Sequence, residues 1–134
     1  MTEYLLDSCA LIAFFAAEPE AVILKEMFLK GENSKFYLNF VNYGEVIYNL
    51  RLKGYSEENI IKVQNRIKNY LDIQFLKTDD FETVELACDF KAKGGVSYFD
   101  AFILASAKKK KLTIVTKDQE FKKFEKQVKI LWLK

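Results

Sequence analysis

The chain has 134 residues, half of them apolar and 15% aromatic, which is material for one domain with one core and too apolar a mixture for disorder. It contains no histidine, so Ser-His-Asp and Cys-His mechanisms, imidazole zinc sites and histidine general bases are excluded, and any catalysis falls to carboxylates, lysines, hydroxyls or a bound metal. The net charge of +2 hides an uneven spread: residues 1–90 carry 9 Lys/Arg against 15 Asp/Glu and residues 91–134 carry 12 against 4, so the first part could hold a cation and the second could meet a polyanion, with a solvated lysine surface as the alternative.

The opening Met1–Asp7 has no basic region and meets an acid after two leucines, so no signal peptide is expected. No apolar run reaches the roughly 18 residues of a membrane span. Tyr4-Leu5-Leu6 predicts a short buried strand ending at Asp7, and Cys9 to Ala17 a helix. A second helix is expected from Pro19 to Lys30, with the proline in its first turn. Gly31-Glu32-Asn33-Ser34 has turn chemistry. Lys35 to Phe40 is strand-like, and Val41 to Lys53 helical with Val46, Ile47 and Leu50 on one face until Gly54. Ser56 opens the next helix, whose apolar residues Ile60, Ile61, Val63, Ile67, Tyr70 and Leu71 recur at helical spacing. Ile73 to Leu76 predicts a third strand. Asp79 to Lys93 predicts an amphipathic helix stopped by Gly94-Gly95. Ser97 to Lys110 predicts another helix, Leu112 to Val115 a buried strand, Gln119 to Phe124 a short helical stretch, and Val128 to Leu133 a last strand. Cys9 and Cys88 are far apart, form no C-x-x-C pair, and read as small buried hydrophobes in a reduced, cytoplasmic setting.

Strands alternating with helices over residues 1–134, without a linker, predict a single α/β domain with a mainly parallel sheet. Right-handed crossovers then bring the loops that follow each strand to one edge, where ligands of such sheets bind.

Four acids fall at that edge. Asp7 closes the first strand, Glu45 is placed in the first turn of the helix after the second, Asp100 in the first turn of the helix leading to the fourth, and Asp118 just after the fourth. Each also has a capping alternative: Asn42-x-x-Glu45 and Ser97-x-x-Asp100 resemble capping boxes, and Asp7 and Asp118 suit N-caps. Caps do not require convergence, however. Two carboxylates about 5 Å apart repel by roughly 3 kcal/mol at an effective dielectric of 20, and a divalent cation such as Mg²⁺ or Mn²⁺ is the usual remedy. Asp79 and Asp80, with Asp79-x-x-Glu82 as a cap, read as structural, and Asp72 and Asp89 as solvated. Lys108 to Lys111 suit the end of a helix, where cations favour the dipole. Phe14, Phe15, Phe36, Tyr37, Phe40 and Tyr43 read as core.

The segments Leu5-Leu6-Asp7-Ser8, Gly44-Glu45-Val46, Ser97 to Ala105 and Val115-Thr116-Lys117-Asp118-Gln119-Glu120-Phe121 together resemble the PIN domain, in particular the VapC-type toxins of toxin–antitoxin pairs, over essentially the whole chain. The resemblance implies a three-layer α/β/α fold with five strands in the order 3-2-1-4-5. It also implies Asp7, Glu45, Asp100 and Asp118 as the catalytic and metal-binding acids, Glu45 directly or through water, and Ser8 and Thr116 as supporting hydroxyls. Glu120 stands where many relatives place a further Asp or Asn, and its longer side chain leaves its role open.

The implied activity is Mg²⁺- or Mn²⁺-dependent hydrolysis of an RNA phosphodiester by the toxin of such a pair. A small antitoxin would be the partner, docking on the Ser56–Leu71 helix and the one before it, and a homodimer is the implied assembly. Three other readings stay open: an RNA-processing PIN nuclease outside a toxin–antitoxin pair, a Mg²⁺-binding phosphoacceptor domain, and a catalytically silent interaction module. A phosphoacceptor needs acids beside one another after the first strand, where this chain has Asp7 alone.

Overall fold

The computed structural model describes residues 1–31 and 33–133. Its elements are β1 (Thr2–Leu6), α1 (Ser8–Phe15), a 3-10 turn (Pro19–Ala21), α2 (Val22–Lys30), β2 (Ser34–Asn39), α3 (Phe40–Leu52), α4 (Glu57–Asn69), β3 (Ile73–Leu76), α5 (Phe81–Ala92), α6 (Tyr98–Lys110), β4 (Thr113–Thr116), a second 3-10 turn (Gln119–Phe124) and β5 (Ile130–Trp132). The five strands form one sheet in the order β3-β2-β1-β4-β5. All pairings are parallel, with Leu5 opposite Tyr37 and Leu6 opposite Val115. The chain is thus a three-layer α/β domain with the sheet order implied by the resemblance.

Alternation along the central strands builds the layers. Leu5 and Leu6 are both fully buried, yet successive strand residues point to opposite faces. Leu5 and Ile114 join a core under α5 and α6, whereas Leu6 and Val115 join a second core under α1 to α4. Truncating either leucine to alanine would leave a cavity and cost about 3–5 kcal/mol. The Gly94–Gly95 pair, at φ +82° and +84°, makes the tight reversal between α5 and α6 that residues with a Cβ resist.

Several boundaries differ from those expected. The helix expected over Pro19–Lys30 begins as a 3-10 turn with the proline in its first turn, and only becomes α-helical at Val22. Asn39, not Val41, marks the strand-to-helix switch, so α3 starts at Phe40 and Glu45 lies in its second turn rather than its first. Asp80, not Asp79, caps α5, because its carboxylate accepts both the Thr83 amide and the Thr83 hydroxyl at 3.0 Å. Phe40, expected in the core, is half exposed and stacks on Phe75, since it lies at the carboxyl edge of the sheet where neither helical layer covers it. In the expected turn at Gly31–Ser34, Glu32 lies outside the described residues, and Ser34 N donates to Gly31 O at 3.3 Å. No helix among the described residues is long and apolar enough to cross a membrane.

Candidate active site

Asp7 is the residue on which β1 ends and from which α1 departs. Its position is that of an N-cap, yet its side chain makes no capping bond. It is 1% exposed, and its Oδ2 accepts from Thr116 Oγ1 at 2.6 Å and from Cys9 Sγ at 3.0 Å, while Oδ1 is buried with no hydrogen-bond partner. A buried carboxylate oxygen without a partner is costly.

Asp100 is in the first turn of α6 and also buried. The cap there is Ser97 Oγ, which accepts the Asp100 amide at 3.1 Å and leaves the Asp100 carboxylate out of the capping bond. Asp118, on the loop after β4, is half buried. Its amide donates to Thr116 Oγ1 at 3.0 Å, and its Oδ1 caps the following turn through the Glu120 amide, also at 3.0 Å. These carboxylates converge: one oxygen from each of Asp7, Asp100 and Asp118 lies within 4.8 Å of the others. Of the three, only Asp118 makes the capping bond its sequence suggested.

Glu45 is held from two sides. Ser8 Oγ donates to its Oε1 at 2.6 Å, and Asn42 Nδ2 at 3.3 Å. Asn42 is therefore no capping-box partner. It is a fully buried amide that also reaches the Phe99 carbonyl at 3.4 Å, tying α3 to the start of α6. Glu120 is exposed at the rim, where its charge still acts on Asp100. Cys9, read as a plain hydrophobe, proves to be a donor to Asp7, and Thr116 is the shared hydroxyl between Asp7 and Asp118. The resemblance places Thr116 beside the acids and the capping-box spacing pairs Asn42 with Glu45, but nothing in the sequence signals Cys9 as a donor or the reach of Asn42 to the Phe99 carbonyl 57 residues away.

Burial above all pushes the Asp7 carboxyl up to about 6; the bonds from Cys9 and Thr116 oppose this, and the charges of Glu45 and Asp118 add to it. Burial, followed by the charges of Asp7, Asp118, Glu45 and Glu120, pushes Asp100 up to about 8. The arrangement is under electrostatic stress near neutral pH and has an unpartnered carboxylate oxygen within it. Both features fit a hard divalent cation, which takes oxygen ligands and offsets their charge.

Other charges fall elsewhere. Lys109 lies nine residues along α6 from Asp100, about 13 Å at the helical rise, and pairs with Asp80 at 2.6 Å. The lysine run is thus a feature of the far end of the helix. Lys117 Nζ bonds Glu18 and Glu20 at 2.8 and 2.9 Å, and those carboxylates hold its charge well above the ordinary lysine range. A cavity of about 400 Å³, lined by Phe14, Phe28, Arg66, Tyr70 and Leu71 among others, opens by the starts of β2 and β3, at the opposite sheet edge.

A family model described as the PIN domain matches residues 4–127. No curated protein matches the sequence. Among solved structures, VapBC2 of Rickettsia felis bound to a promoter DNA fragment aligns with a TM-score of 0.78 at 16% identity, covering 99% of this chain and 100% of that one. DNA-bound VapBC of Salmonella typhimurium aligns at 0.76 and 20% identity, covering all of both chains. VapC20 of Mycobacterium tuberculosis, described as a toxin that cleaves the sarcin–ricin loop, aligns at 0.73 and 13% identity over 90% of this chain and 93% of that one. At these identities the likeness is one of fold.

Proposed function

The chain belongs to the PIN-domain family, and from that premise we propose that it is a divalent-metal-dependent endoribonuclease, the toxin of a toxin–antitoxin pair. The observation that carries the reading is the convergence of Asp7, Asp100 and Asp118 to within 4.8 Å at the carboxyl edge of a parallel sheet. Helix capping accounts for only one of those three side chains.

Asp7, Asp100 and Asp118 would hold Mg²⁺ or Mn²⁺, with Glu45 completing the site through water. A cation held there supplies Lewis-acid polarisation of a phosphodiester and a water of lowered pKa. The protein's own part is to aim and to move protons. Thr116 and Cys9 fix Asp7 by one oxygen and leave the other free for binding. Ser8 and Asn42 fix Glu45 by Oε1 in the same way, so that its second oxygen can orient the attacking water and accept its proton. In a chain without histidine, a carboxylate is the natural proton acceptor. Glu120, at the rim, adds negative field and acts on the site without entering the three-oxygen group. The low exposure of Asp7 counts against the phosphoacceptor alternative, in which that oxygen must attack phosphorus.

The substrate in this reading is single-stranded or loop RNA, whose backbone is accessible and whose bases can be splayed. The antitoxin would lie along α3 and α4, where Tyr48, Leu52, Ile61 and Tyr70 are exposed apolar side chains. Two copies would form a homodimer, and the pair would work in the cytoplasm. The test is to map new RNA ends in total cellular RNA after brief induction of wild type and of Asp7→Asn. Discrete ends should appear with wild type alone, and the same ends from both proteins would refute the assignment.

A further inference from the structure

The three clustered acids are not held equally. Asp7 sits at a strand end between two donors and Asp100 in the first turn of a long helix, both buried. Asp118 rides on the loop after β4 and is the half-buried member. Repulsion among ionised acids therefore displaces the Asp118 loop before it displaces the others.

The residue before Asp118 is Lys117, whose ammonium donates to Glu18 Oε1 at 2.8 Å and to Glu20 Oε1 at 2.9 Å. These glutamates flank Pro19 in the segment that leaves α1, the helix that starts at Asp7. All three side chains are only a quarter to a third exposed, so the pairs are better shielded than ordinary surface ion pairs. Ala17, just before them, takes φ 54°, a left-handed conformation costly for a residue with a Cβ, so contacts beyond local preference hold this segment's path.

The geometry points to a clasp: Lys117, gripped by Glu18 and Glu20, is a positioning residue that ties the Asp118 loop to the α1 side and thereby sets the affinity of the acid cluster for a divalent cation. The inference rests on the metal site proposed above. It is separable from a simple field effect, because the two make opposite predictions for one variant. If Lys117 acted only through its charge, removing that charge would make the site more negative and bind a cation more tightly. A clasp predicts the reverse, since the loop then yields to repulsion.

The experiment is Mn²⁺ binding to the purified chain, read by the electron paramagnetic resonance signal of free Mn²⁺, for wild type, Lys117→Gln, Lys117→Arg and the double variant Glu18→Gln/Glu20→Gln. Lys117→Gln and the double variant should bind about fivefold more weakly, a size that two partly shielded ion pairs can supply, and Lys117→Arg should restore most of the affinity. Amide hydrogen exchange at Glu120 and Phe121, which donate to Asp118 Oδ1 and Asp118 O, should quicken in the double variant. Lys117→Gln binding Mn²⁺ as tightly as wild type, or more tightly, overturns the clasp and leaves the metal site standing. Unchanged protection at Glu120 and Phe121 in the double variant overturns it even if Lys117→Gln fails to fold. No Mn²⁺ binding by wild type overturns the metal site and the clasp together.

Discussion

Replacing Asp7 by asparagine should stabilise the metal-free protein, although Asp7 is buried and hydrogen-bonded. Its carboxyl is pushed from an ordinary 3.8 to about 6, mainly by burial. Above both values it is ionised in the folded and unfolded states alike, and keeping that charge in the fold costs about 3 kcal/mol at 1.36 kcal/mol per unit. Asparagine removes the charge at nearly constant volume. Its carbonyl oxygen can keep the bonds from Thr116 and Cys9, and its amide replaces the unpartnered Oδ1 with a donor set beside carboxylates. Asp100, raised to about 8, retains much of its proton at neutral pH and softens the repulsion, so a gain of about 1–3 kcal/mol is expected. For a domain of this size that is a rise in melting temperature of roughly 5–10 °C. The sign follows from linkage: a raised carboxyl pKa penalises the fold as pH rises from 3.8 through about 6. The advantage of the variant should therefore be absent near pH 4 and complete above pH 7. Thermal melts in EDTA across that range, followed by circular dichroism, provide the assay. A variant that melts below wild type at pH 8, or a difference that does not change with pH, would refute the reasoning.

Wild type itself, in EDTA, should lose stability between about pH 4 and pH 8 through Asp7 and Asp100, a decline that urea titrations can measure and that Mn²⁺ should abolish. At a hundredfold excess over its dissociation constant, Mn²⁺ should stabilise wild type by about 2.7 kcal/mol and Asp100→Asn far less; equal shifts in the two would place the ion elsewhere. Asp80→Ala, which loses the α5 cap and the Lys109 pair, should melt lower than wild type yet keep the full Mn²⁺ shift. Asp79→Ala, which neither caps α5 nor belongs to the acid cluster, should melt like wild type and also keep the full Mn²⁺ shift.

Much of this could be read from the residues because local and global signals agree. Leu5-Leu6 followed by an acid marks a central strand running to the working edge, and Ser97 three residues before Asp100 marks the helix start that aims the acid. The misplaced boundary at α3 has a local cause: Asn39-Phe40 carries no glycine or proline, and an aromatic residue suits a strand as well as a first helical turn. The choice of Asp80 over Asp79 depended on Thr83, whose amide and hydroxyl both find the same carboxylate. The expected source of strain also needed revision, since burial outweighs repulsion at both Asp7 and Asp100. Lys117 and its two glutamates are 97 and 99 residues apart in sequence, and nothing in composition or spacing connects them. The bond of Asn42 to the Phe99 carbonyl, 57 residues away, is hidden for the same reason, whereas Cys9, only two residues from Asp7, is hidden because a cysteine among apolar residues reads as a hydrophobe.

Cleavage of single-stranded RNA by the purified chain tests the central claim most directly. Wild type should cut in Mg²⁺ or Mn²⁺ and stop in EDTA. Asp100→Asn, shown to be folded by its melt, should lose several orders of magnitude in rate, because it removes ligand charge and water activation together. Cleavage that persists in EDTA, or that Asp100→Asn performs as fast as wild type in a preparation free of contaminating nuclease, would contradict the account.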